Sequence, residues 1–288
     1  MQNKGWTKGR RKMLSKKIKE LLFPCRCAAC GAVYKNFYEL PFCPICAKKW
    51  RCAVNSLDAR SRGLPSVILD NSLPPERGGV LSALVSYRSH TLERGFEIGR
   101  QVIFALKKDG AQRLDRFIAD AFFTRIKALG IRDLTHTAVV SIPRNRENYL
   151  NVGVDNMRSV GKLLAELLDS EYVSAIKQKK RAREQKKLTV SERFQNAEGR
   201  FSIAPKALDS LENKDIILID DVVTTGATLC AAMHCLLDEG KARRVYIFAV
   251  AVNDRIKPDS QKRTASPNEY SKSCDDKNEK CDTASLWD

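Results

Sequence analysis

The stretch Ile216–Leu229 reads IILIDDVVTTGATL. Four branched apolar residues, Ile216 to Ile219, predict a short strand buried on both faces, and two carboxylates, Asp220 and Asp221, follow it directly. In an open α/β sheet, ligands bind at the carboxyl ends of the strands, where such a pair would stand. The small residues Thr224-Thr225-Gly226-Ala227-Thr228 then lead into a helix predicted over Thr228 to Asp238, ended by Gly240. Successive backbone N–H groups, Thr hydroxyls and the start of a helix form a phosphate cradle. A phosphate repels carboxylates, so the Asp pair fits hydroxyl groups or a Mg²⁺ ion instead. A sugar phosphate carries both kinds of group. Helix capping alone accounts for one Asp and one Thr, not for the whole DDVVTTGAT block.

Outward from this block, strand and helix patterns alternate. Ala138 to Ile142, Tyr172 to Ile176 and Arg244 to Val252 read as strands, as do Val80 to Tyr87 and, at an edge, Leu64 to Leu69. Phe96 to Lys108, Leu114 to Leu129 and the Val160, Leu163, Leu164, Leu167, Leu168 series show helical spacing. The alternation predicts an α/β fold with a mostly parallel sheet covered on both faces.

A separate unit precedes it. Residues 24–52 hold six of the ten cysteines, including Cys27-x-x-Cys30 and Cys43-x-x-Cys46. Two CxxC turns complete the tetrahedron that zinc prefers, and four thiolates leave no open position, so the predicted Zn²⁺ is structural. So short a unit cannot bury enough apolar surface to fold alone. Cys25 and Cys52 are surplus, and Cys25 could replace Cys27 in an alternative register. The organisation read from composition is a basic leader (1–23), a small zinc-ribbon or knuckle module (24–52), an α/β domain (53–253) that opens on a connector over 53–75, and a polar, disordered tail (254–288).

The formal net charge is +17, which suits anionic partners: nucleic acid, a phosphorylated metabolite or an anionic membrane surface. No apolar run reaches the length of a membrane span, and Leu21-Leu22-Phe23 is too short for a signal-peptide core, so a cytoplasmic location is expected.

At DDVVTTGAT the sequence resembles the phosphoribosyl-pyrophosphate (PRPP) motif of type I phosphoribosyltransferases. The resemblance implies that Asp220 and Asp221 hold ribose hydroxyls and act in catalysis. It implies that the PRPP site runs Asp220, Asp221, Val222, Val223, Thr224, Thr225, Gly226, Ala227, Thr228, with the Thr/Gly loop on the 5′-phosphate. With the four-cysteine module in front, the chain resembles the ComF family, associated with DNA uptake in bacterial competence. AVVSIPRNR, Ala138 to Arg146, is similar to that family's strand and pyrophosphate-side loop, which assigns Pro143, Arg144 and Arg146 to that side. REQKKLTVSERFQNAEGRF, Arg183 to Phe201, resembles its Q-x-x-L-s-x-x-e-R-x-x-N signature, and the basic run around Arg183 and Gln185 falls where the family has a mobile loop. The family's R-G-F-N-Q stretch is replaced by Val152-Gly153-Val154-Asp155-Asn156, which lacks the Arg. The function so implied is pentosyl transfer from PRPP, with Mg²⁺, to an unspecified acceptor. The alternatives are a PRPP- or nucleotide-binding regulator without chemistry, and a competence factor that contacts DNA or competence-machinery proteins.

Overall fold

In the computed structural model, the described residues are 25–34, 41–60, 66–68, 77–78, 80–87, 97–108, 112–131, 134, 136–144, 155–179 and 199–253. The leader 1–23, the tail 254–288, Arg146, Val152 to Val154, Arg183 and Gln185 lie outside them. All described residues belong to the first of the chain's two units, Met1–Ile256.

The elements run α1 (Pro44–Arg60), β1 (Ser66–Ile68), β2 (Val80–Ser86), α2 (Glu97–Leu106), α3 (Gln112–Ala128), β3 (Thr137–Ser141), α4 (Asn156–Leu167), β4 (Glu171–Tyr172), β5 (Ile176–Gln178), β6 (Phe201–Ile203), a 3-10 turn and the short α5 (Leu208–Leu211), β7 (Asp215–Val223), α6 (Ala227–Asp238) and β8 (Arg244–Val252). Six strands form a sheet in the order β1-β2-β8-β7-β3-β4. Only β1, at the edge, is antiparallel to its neighbour; the other five strands are parallel. The parallel sheet with helices is the fold class expected from the sequence.

The central strand is the opening stretch. Ile216 and Leu218 face one apolar core with α6, and Ile217 and Ile219 face the other with α2, α3 and α4; all four are fully buried. Each contributes about 1.5–3 kcal/mol of transfer free energy, an upper bound, because the unfolded chain already buries some surface. Asp215 at the start of β7 is also buried, but Arg243 Nε donates to it at 2.8 Å.

Three expectations need correction. The strand does not stop at Ile219: pairing with β8 continues to Val223↔Val252, so Asp220 and Asp221 are themselves strand residues. The stretch Tyr172 to Ile176 is not one strand. Its two ends pair with different partners, β4 with β3 in the main sheet and β5 with β6 in a separate antiparallel ribbon. And α1 runs through Arg60, across the start of the expected connector at residue 53. Trp50 and Ala53 on that helix are buried in the main core, which explains why it continues.

Candidate functional site

The pocket follows from strand pairing. On its β3 side, β7 is paired only as far as Ser141↔Ile219. Beyond Ile142, whose N–H donates to the Ile219 carbonyl at 3.0 Å, the β3 chain leaves the sheet. Residues 220–223 thus keep β8 on one side and open on the other. The crossovers also diverge here. From β3 the chain passes through α4 on one face to β4, and from β7 through α6 on the opposite face to β8. A point where connections depart in opposite directions is where open α/β sheets form their ligand crevice.

The crevice encloses about 220 Å³ and is lined by Lys107, Ile142, Pro143, Arg144, Asp155, Asn156, Gln178, Arg200, Asp220, Asp221 and Thr228, with Leu106 and Met157 as further apolar wall. Asp220 Oδ1 accepts from the Asp221 N–H at 2.9 Å, and Asp221 Oδ1 from the Val222 N–H at 2.7 Å. These bonds fix both carboxylates to their own backbone. Lys107 Nζ lies 3.2 Å from Asp221 Oδ2. Withdrawal from water, with the Asp221 charge alongside, holds the Asp220 carboxyl well above the usual carboxylate range. Asp215, five residues earlier on the same strand, is instead paired with Arg243.

After Val223 the chain turns through Thr224 and Thr225 to Gly226, whose φ of 81° is left-handed and suits glycine. Gly226 is the N-cap of α6, and Thr225 Oγ1 accepts from the Ala227 N–H at 3.5 Å. Thr228, in the first turn, accepts from Arg200 at 3.4 Å. The predicted loop residues thus surround the N-terminus of α6, which starts one residue earlier than expected.

Of the three pyrophosphate-side residues, Pro143 and Arg144 line the crevice, and Arg146 lies outside the described residues. The same holds for Arg183 and Gln185. Sequence reading missed Lys107, Gln178, Arg200 and the role of Asn156. Asn156 Nδ2 donates to the carbonyls of Leu106 and, at 3.0 Å, of Lys108, capping the end of α2. Gln178 Nε2 donates to the Pro143 carbonyl at 3.1 Å. Asp155, the N-cap of α4, accepts from the Arg158 N–H, and burial raises its pKa. The one available signal was that Asp155-Asn156 closes the altered R-G-F-N-Q stretch.

The thiols of Cys27, Cys30, Cys43 and Cys46 lie within 4.8 Å of one another, and the Cys30 and Cys43 sulfurs are 3.8 Å apart. Sulfurs about 2.3 Å from a tetrahedral zinc lie about 3.8 Å apart, so the donor set fits. The first pair sits on a turn with the Gly31 N–H donating to the Cys27 carbonyl at 2.8 Å and Gly31 at φ 74°. The second pair opens α1, whose first turn favours negative charge. Burial acts to raise the Cys27 thiol, but backbone hydrogen bonds at Cys30, Cys43 and Ala29 outweigh it and bring the pKa down to about 7. Burial, with three thiols beside it, pushes Cys46 up instead. Four crowded thiols cannot all ionise without a cation, which is the condition a bound metal relieves. Cys25 and Cys52 are not part of the cluster.

Residues 158–286 match the family model described as "Phosphoribosyl transferase domain". The chain is 33% identical over 115 residues to competence protein ComFC of Bacillus subtilis (strain 168), a match covering 40% of this chain. It is 53% identical over 36 residues to bifunctional protein PyrR of Haemophilus ducreyi, covering 12% of this chain. The matches span 44% and 20% of those relatives, so the chain covers less than half the length of either. Among solved structures, adenine phosphoribosyltransferase from Saccharomyces cerevisiae aligns with a TM-score of 0.33 and 23% identity, over 52% of this chain and 75% of that one. The family match holds the Asp220–Thr228 block, and the ComFC relative and the four-thiol cluster bear on the rest: the chain is similar to ComFC in part of its length and has a phosphoribosyltransferase-type α/β domain with a four-cysteine cluster near its N-terminus.

Proposed function

We propose that the chain binds PRPP, or a related ribose phosphate, in the β3/β7 crevice and transfers the phosphoribosyl group to an acceptor. The observation that carries this reading is the Asp220–Asp221 pair at an open strand end, followed directly by a helix N-terminus with Gly226 and Thr228. Asp220 and Asp221 orient the ribose through its hydroxyls and favour the positive charge that develops on the sugar. The N–H groups of α6, with Thr225 and Thr228, take the 5′-phosphate. Arg144 faces the departing pyrophosphate. Mg²⁺, held through carboxylate and pyrophosphate oxygens, would supply charge neutralisation on the leaving group. Catalysis of this kind is positioning and electrostatics, with little covalent work for the protein.

The cysteine cluster, in the same reading, holds a structural Zn²⁺. Among the described residues no helix is long and apolar enough to cross a membrane. A cytoplasmic location, and a competence role through DNA or competence-machinery proteins, belong to the proposal; the likeness to ComFC and the +17 charge support them.

A second reading, ligand binding without turnover, is favoured by one observation. Asn156, at the end of the altered R-G-F-N-Q stretch, spends its amide on the α2 carbonyls instead of offering it to the crevice. Calorimetric titration of PRPP with Mg²⁺ into wild type and the Asp220→Asn/Asp221→Asn variant tests both. Binding in the wild type, lost in the variant, is expected; an acceptor screen for pyrophosphate release then separates transfer from sensing. A well-folded wild type that does not bind PRPP would sink both readings and leave DNA or protein contact as the account.

A further inference from the structure

The crevice contains a cation that no motif assigns. Lys107 follows the last residue of α2, and its ammonium lies 3.2 Å from Asp221 Oδ2. Asp221 Oδ1 is already held by the Val222 N–H. The oxygen left for a ligand hydroxyl is therefore the one that Lys107 occupies.

The lysine is fixed at its base and loose at its tip. The Lys107 carbonyl accepts from Arg144 at 3.3 Å, and the carbonyls on either side of it accept from Asn156. These bonds hold the end of α2 against the mouth of the crevice. The side chain itself is 44% exposed and Asp221 27%, so the ion pair is solvent-screened and cheap to open.

The charge balance gives the lysine a second partner. Asp155, Asp220 and Asp221 line the crevice on one side of the ledger, and Lys107, Arg144 and Arg200 on the other. Without Lys107, Arg144 and Arg200 are the cations left among the described lining residues to meet a polyanion.

We propose that Lys107 is an exchangeable counter-ion of this site. It neutralises Asp221 when the crevice is empty, and passes to the ligand's diphosphate when ribose hydroxyls take its place on the carboxylate. The inference rests on the phosphoribosyl reading of the site and adds to it a residue outside the matched family region, with a role in discriminating diphosphate-bearing ligands from those without one.

The test is titration of PRPP with Mg²⁺, and separately of ribose 5-phosphate, into wild type, Lys107→Met and Lys107→Arg. Loss of one charge-assisted contact corresponds to about a 10- to 100-fold weaker PRPP affinity in Lys107→Met. Ribose 5-phosphate, which lacks the diphosphate, should stay within roughly threefold of wild type, because the lost pair is half exposed. Lys107→Arg should recover most of the PRPP affinity, and thermal melts of all three proteins should coincide. Equal losses for the two ligands would reduce Lys107 to a support for the carboxylates, and no loss for either would remove it from the site; both overturn the exchange. Wild type that binds neither ligand overturns the phosphoribosyl reading itself, and this inference with it.

Discussion

The four thiols come from one short run, Cys27 to Cys46, and two local turns bring them within 4.8 Å. The crevice draws its walls from residues as far apart as Leu106 and Thr228, carried on α2, β3, α4, β5, β6, β7 and α6 or their ends. The first region is closed by local backbone hydrogen bonds, the second by the register of a parallel sheet. Metal–thiolate bonds can therefore tie the cluster together with little help, whereas the crevice exists only once the sheet has formed. The two still share a wall. Phe117 on α3 meets Phe42 at 5.1 Å and Trp50 at 5.5 Å between ring centroids, both from the cysteine side. The same helix packs on α4, whose first residues line the crevice.

Removing the proposed Zn²⁺ tests that shared wall most severely. Structural zinc contributes on the order of 10 kcal/mol in small modules. Because Phe42 and Trp50 are part of the main core, stripping the metal, or Cys46→Ser, should lower the melting temperature of the whole sheet by circular dichroism. A sheet that melts unchanged after chelation would make the cluster an independent appendage. Next in size is Trp50→Ala. This residue is 5% exposed and touches Phe42 and Phe117, so a loss of about 3–5 kcal/mol is expected in urea unfolding. A loss below 1 kcal/mol would mean that the aromatic contact is incidental.

Asp115, also on α3, sharpens the comparison through pH. Burial, partly offset by a hydrogen bond from Ser159 on α4, raises its pKa to about 6, and its Oδ1 has no hydrogen-bond partner among the described residues. A raised carboxyl pKa means that the folded state holds the proton more tightly than the unfolded chain does. Its contribution to stability is thus complete below about pH 4 and is lost as pH climbs through about 6. Asp115→Asn should accordingly gain about 3 kcal/mol over wild type at pH 8 and little at pH 4. Identical pH dependence for the two proteins in urea unfolding would mean that the α3–α4 contact admits water. The smallest effect is expected at the far side of the crevice. Ser141 Oγ and the Tyr172 hydroxyl share a hydrogen bond of 2.8 Å between β3 and β4, and Ser141→Ala should cost about 1 kcal/mol without altering PRPP binding. A change in affinity instead would tie β4 to the site.

How much could be read in advance differs between the regions for the same reason. Cys27, Cys30, Cys43 and Cys46 were legible because CxxC spacing is itself a geometry. Asp220, Asp221 and the loop to Thr228 were legible because strand, acid pair and helix start are contiguous. Lys107 was not: nothing in FALKKDG separates it from an ordinary solvated lysine at a helix end. Arg200 and Gln178 sit beside a basic run and look like part of it, and only the β5–β6 ribbon places both at the crevice. Even the helix through Arg60 was hidden, since its apolar spacing is weak and its stability comes from Trp50 and Ala53 in a core formed by distant residues.

The sequence by itself determined the alternation that makes a parallel sheet, the cysteine tetrad and the acid–threonine block, because each is a local pattern of side chains along a continuous backbone. The tertiary structure alone decided that β3 leaves β7 at Ile219, that Lys107 meets Asp221 and that the cysteine module shares its aromatic core with α3. Those are contacts between segments brought together by burial, and burial is a property of the packed whole, which no single stretch encodes.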